Sequence, residues 1–157
     1  MRFSHLIQIN DPFNPLIDPL SREQLWRGLV LRAENPSLFV LALDGYEILE
    51  RGPDTLARVL HFGSLRLRDR VSFAPMDQVR YEIEASQDSP AGTLVMSIEE
   101  PEPGQLFVRF DYETMQGGAT ASPDDLYSSL AKKAYVEADI DTIRTIRRLA
   151  AEPDAPG

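Results

Sequence analysis

The chain has 157 residues and a mass of 17.6 kDa, the size of one domain, with the last few residues (153–157) read as a frayed tail. Hydrophobic residues make up 43% and charged residues 26%, which is enough for a buried core, and the absence of cysteine excludes a disulfide framework, a thiolate metal site, an iron–sulfur cluster and a cysteine nucleophile. A net charge of −9 and a pI near 4.7 argue against general nucleic-acid or acidic-membrane binding, since both need positive surface. Residues 1–70 are neutral, with nine basic and nine acidic side chains, so the whole excess lies beyond residue 70 and reads as a solvated acidic face. The first ten residues lack the apolar stretch of a signal peptide, and no run approaches a membrane span, so a soluble cytoplasmic protein is expected.

Phe3–Ile9 reads as a first strand. Pro12, Pro15 and Pro19 then mark a loop, because proline cannot donate to a ladder. Ser21-Arg22-Glu23-Gln24 fits a capping box, and Leu25, Trp26, Leu29, Val30 and Ala33 follow at helical spacing up to Asn35-Pro36. Ser37–Leu43 is a short apolar run that fits a second short helix. The pattern next turns strand-like. Tyr46–Arg51, Leu56–Phe62, Leu65–Phe73, Val79–Ala85, a run through Leu94, Met96 and Ile98, and a run through Leu106, Val108, Phe110 and Tyr112 are strands, with turns at Gly52-Pro53-Asp54, Gly63-Ser64, Pro75-Met76-Asp77, residues 88–92 and Pro101-Glu102-Pro103-Gly104. Clean alternation indicates an antiparallel sheet with one wet face. After Gly117-Gly118, Ser122 caps a helix that runs from Pro123 to about Ala151, with an apolar stripe of Leu126, Leu130, Ala134, Tyr135, Ala138, Ile143, Ile146 and Ala150. The fold class is therefore α+β: one antiparallel sheet, one or two short helices after the first strand, and a long C-terminal helix covering the apolar face.

The Gly63-Ser64 hairpin carries the most information. A two-residue turn sets Phe62 opposite Leu65, Leu60 opposite Leu67, Arg58 opposite Asp69 and Leu56 opposite Val71, all on one face. That face is apolar except for Arg58 and Asp69. An unpaired inward charge would cost several kcal/mol, so the two are expected to pair. Two readings stay open: a structural cross-strand ion pair, or a polar patch in a ligand cavity. In the second, Arg58 takes an anionic or carbonyl group while Tyr81 and Tyr112 offer hydroxyls. The candidate ligand-binding set is Arg58, Asp69, Tyr81, Tyr112, Phe110 and Trp26, with Trp26 either in the core or at a cavity mouth. His5 shares its parity with Phe3, Ile7 and Ile9 and faces inward, as a hydrogen-bonded core residue or as a catalytic one. His61 and the stripe of Arg66, Arg68 and Arg70 face solvent. No dinucleotide, phosphate-loop, zinc-protease or esterase motif occurs, so no cofactor or metal is expected.

Several stretches carry a family resemblance. They are Asn14-Pro15, residues 20–29 (Leu-Ser-Arg-Glu-Gln-Leu-Trp-Arg-Gly-Leu), Arg32-Ala33-Glu34-Asn35-Pro36, Phe62-Gly63, Asp69-Arg70-Val71 and Ile146-Arg147-Arg148-Leu149. Together with the element order, they resemble the AtaL-like family of the SRPBCC superfamily, which includes START lipid-binding domains, birch-pollen-type allergens and polyketide cyclases. Leu41-Ala42-Leu43 departs from it, standing where a proline-containing turn is expected. The resemblance implies a single helix-grip domain spanning 1–157, with the long helix closing a cavity over a curved sheet. It implies binding of a small, mostly hydrophobic molecule or, as the alternative, a cyclase or aromatase-like reaction in secondary metabolism, with Asp69, Tyr112 or His5 moving the proton. A homodimer with a filled core is a third reading. A cavity of about 300 Å³ or more would favour the first two.

Overall fold

The computed structural model describes residues 2–86, 90–115 and 125–152, with side chains from residue 129 onward in the last segment. Seven strands, β1 (Arg2–Gln8), β2 (Gly45–Arg51), β3 (Thr55–Phe62), β4 (Leu65–Ala74), β5 (Gln78–Ile83), β6 (Gly92–Glu102) and β7 (Gln105–Thr114), form one antiparallel sheet in the order β1-β7-β6-β5-β4-β3-β2. Helix α1 (Arg22–Glu34) follows β1, and helix α2 (Asp125–Ala150) follows β7. The sheet is curved and the fold is the helix-grip arrangement expected from the sequence.

Local chemistry sets the element limits. Ser21 caps α1 by accepting from the Gln24 amide, and the Gln24 side chain accepts from the Ser21 amide, which completes the capping box. Gly63 takes a φ of 59° at the tip of the β3–β4 hairpin, where a first-position glycine suits a two-residue turn. All four predicted cross-strand pairs are present, Arg58 opposite Asp69 among them. Gly28 lets α1 approach α2 closely, because a Cβ there would sit 2.6 Å from Ile146 Cγ2. Leu25, Leu29, Val71, Met96, Phe110 and Ile146 are among the fully buried side chains between the sheet and the two helices.

Four expectations need correction. The run 37–43 forms only a 3₁₀ turn at Pro36–Leu38, too short for a second α-helix. Strand β6 continues to Glu102 through an irregularity between Glu99 and Glu102, so Pro101 lies inside it; the turn is confined to Pro103-Gly104, where Gly104 has a φ of 84°. The stripe of α2 is misphased in its first half: Leu130, Ala134 and Ala138 are exposed, and the helix buries Asp139, Thr142, Ile143 and Ile146. A carboxylate occupies a core position because the sheet supplies it with partners, described below. For the same reason the inner face does not hold one polar pair only. The Ser122 cap, Pro123, Gly117-Gly118 and the 153–157 tail lie outside the described residues, as does the side chain of Leu126.

Candidate functional site

Two polar clusters sit between the sheet and the helices. The first is the predicted pair. Arg58 Nε donates to Asp69 Oδ1 at 2.9 Å, Nη2 donates to Oδ2, and Nη1 donates to the Ala33 carbonyl at 2.8 Å. Both residues are buried, and this bidentate geometry is the strongest form of such a pair. The contact with Ala33 ties the end of α1 to the sheet.

The second cluster centres on Asp139, which is 1% exposed on α2. A hydrogen bond of 2.7 Å joins His5 Nε2 to Asp139 Oδ2, and Tyr112 Oη donates to the same carboxyl, 2.7 Å from each oxygen. Strand register brings these donors together. The β1–β7 pairing sets Phe3 opposite Tyr112 and His5 opposite Phe110, so four rings form a two-rung ladder on the inner face. His5 stacks on Phe110 with centroids 5.2 Å apart, and Tyr135 of α2 stacks on Tyr112 at 4.2 Å. Burial pushes the Asp139 carboxyl above its ordinary range, and the bonds from Tyr112 and His5 and the charge of Arg32 only partly oppose this. Burial, then the Asp139 charge, pushes the Tyr112 hydroxyl far above its usual value.

Arg32, in the last turn of α1, reaches this cluster. Its Nε donates to Thr142 Oγ1 of α2 at 3.3 Å. Burial works against its charge, but Tyr81, Tyr112 and Asp139 together hold its pKa above the ordinary value. Arg32 and Arg58 both lie over the Tyr81 ring, 5.2 and 5.3 Å from its centroid. The Tyr81 hydroxyl lies near enough to Arg32 to affect it, yet it makes no hydrogen bond of acceptable geometry to any described residue.

Of the predicted residues, Arg58, Asp69, Tyr81, Phe110 and Tyr112 all lie on the inner face. The Trp26 and Phe73 rings meet in a T-shape with centroids 6.4 Å apart, part of the partly buried layer around the core. His61 faces outward near Glu47, and Arg66, Arg68 and Arg70 are exposed. A half-open groove of about 660 Å³ lies elsewhere, on the flank of α2 that faces the β1 edge; Ile7, Leu20, Ile140, Ile143 and Arg147 line it, and none of the six predicted residues does. Arg147 donates to the carbonyls of Asp18 and Ile9, which holds the proline-rich loop over this groove. Asp139, Arg32 and Thr142 escaped the sequence reading. The spacing of Tyr135, Asp139, Thr142, Ile143 and Ile146 was the available signal, since these positions share one helix face.

Comparison with known proteins now bears on this geometry. The model of the family described as AtaL, acetylaranotin biosynthesis cluster protein L, matches residues 7–153. The chain belongs to the AtaL family. This bears out the resemblance drawn from the sequence, and solved structures extend it. The AtaL-family chain is similar to the ZhuI aromatase/cyclase from Streptomyces sp. R1128, with 16% identity, a TM-score of 0.66, and coverage of 100% of this chain and 98% of the other. It is similar to Ara h 8.0201, with 11% identity, a TM-score of 0.64, and coverage of 94% and 98%. It is also similar to the di-domain ARO/CYC StfQ from the steffimycin biosynthetic pathway, with 11% identity, a TM-score of 0.66, and coverage of 92% of this chain and 49% of that one. At these identities the likeness establishes the fold. No curated protein matches the sequence. Among the described residues, no helix is long and apolar enough to cross a membrane.

Proposed function

We propose that this AtaL-family chain binds a small, mostly hydrophobic molecule between the inner sheet face and α2. The carrying observation is the Asp139 cluster: three polar side chains from β1, β7 and α2 converge among stacked aromatic rings. A few convergent polar groups in an apolar setting orient a ligand, while the rings supply contact area. Phe110, Tyr112 and Tyr81 belong to this surface, and Trp26 to its outer layer. Arg58 and Asp69 act by fixing the end of α1 against the sheet.

The His5–Asp139 bond favours a second reading. A carboxyl held above its ordinary range and coupled to an imidazole suits proton transfer, the step a cyclase or aromatase-like reaction needs. The fold alone gives no reaction, so the resemblance to ZhuI supports this reading without deciding it.

A thermal-shift screen against fatty acids, aromatics and polyketide fragments tests both. Stabilisation of several degrees by one class without turnover supports a carrier, and product formation that Asp139→Asn abolishes supports the enzyme. A flat screen contradicts binding. A homodimer and a cytoplasmic location complete the reading, and light scattering at two protein concentrations measures the former.

A further inference from the structure

Arg32 and Tyr81 together present hydrogen-bond donors that the protein does not use. The Tyr81 side chain is almost wholly buried, with the residue 2% exposed, and its hydroxyl has no partner among the described residues. Such a group in an apolar interior carries a desolvation cost that a native structure usually relieves, and so calls for an explanation. Arg32 gives one nitrogen, Nε, to Thr142, and the Tyr81, Tyr112 and Asp139 oxygens act on its charge from nearby. The nearby acceptors already take other donors. Asp139 takes Tyr112 and His5, Asp69 takes Arg58, and the Ala33 carbonyl takes Arg58 as well. Arg32 is partly exposed where α1 meets α2, while the Tyr81 ring it covers, hydroxyl included, is closed to solvent.

We infer that Arg32 and Tyr81 form a receptor for an anionic oxygen, so that the molecule held against the inner face is a hydrophobic organic acid. This rests on the binding reading above and adds its chemical class. The planar guanidinium offers paired N–H groups that suit a carboxylate or sulfonate, and Tyr81 Oη adds a third donor from the sheet side. Arg58 cannot serve in this way, because its donors are committed to Asp69 and Ala33. Tyr81 is then the residue that separates acids from neutral molecules of the same shape.

Two dyes test this with the full chain. Anilinonaphthalene sulfonate and phenylnaphthylamine share one apolar body, and only the first carries an anion. Fluorescence titration is expected to show the sulfonate binding about tenfold tighter, the scale of a charged hydrogen bond. Arg32→Gln should bring the two dyes within about twofold of each other, and Tyr81→Phe should weaken the sulfonate by about threefold while leaving the neutral dye unchanged. Tyr81→Phe deletes only a hydroxyl without a partner, so it keeps the test sound if Arg32→Gln fails to fold. Equal binding of the two dyes by the wild type overturns the inference alone, as does a preference that survives both substitutions. Failure of both dyes to bind overturns the binding reading and this inference with it.

Discussion

The two buried clusters use similar chemistry and end in opposite states. In the Arg58–Asp69 cluster every guanidinium edge meets an acceptor, and the pair also clasps the end of α1. In the cluster around Asp139, Arg32 and Tyr81, one buried hydroxyl has no hydrogen-bond partner among the described residues, and Arg32 commits only Nε, to Thr142. The first arrangement fixes geometry. The second retains polar capacity where a ligand would meet it. A buried charge is therefore a poor marker of function by itself; what its hydrogen bonds leave over says more.

Substitutions should separate the clusters by size of effect. Asp69→Ala strands a buried guanidinium and is expected to cost about 3–5 kcal/mol in urea unfolding. The double replacement of Arg58 and Asp69 by leucine should recover most of that loss, because no charge then remains unpaired. A loss below about 1 kcal/mol for Asp69→Ala would break the contrast.

Asp139→Asn should act mainly through pH. With its folded pKa raised above the ordinary 3.8, the native state holds this proton more tightly than the unfolded chain. Stability from this group is then present in acid and is lost as pH rises from about 4 through the folded pKa. His5, Tyr112 and Arg32 face the carboxyl and favour its ionised form, which narrows that window. Melting temperatures of wild type and Asp139→Asn across pH should converge in acid and separate above it in favour of the variant. Parallel curves would contradict the assignment. Tyr81→Phe should have the smallest effect, within about 0.5 kcal/mol or slightly stabilising, since no protein hydrogen bond is lost.

The sequence exposed the first cluster more fully than the second, and for a physical reason. Gly63-Ser64 sets the hairpin register locally, so Arg58 and Asp69 can be aligned by counting from the turn. The capping box at Ser21 is equally local. Asp139 depends on partners 27 and 134 residues away, and alone it reads as a solvated charge on a helix. The inward parity of His5 was visible in β1, but its partner was not. Arg32 reads as a cation complementing the end of α1, and only packing against Thr142 turns it toward the sheet.

The groove on the β1 flank of α2 and the polar clusters on its other side are rival places for a ligand. A crystal structure of the full chain with phenylnaphthylamine bound decides between them, and with them the central claim. The account expects the dye against the inner face, in contact with Tyr112 and Tyr135 and near Tyr81. A dye found only between Ile7, Leu20 and Ile140, with the inner face unchanged, would contradict it.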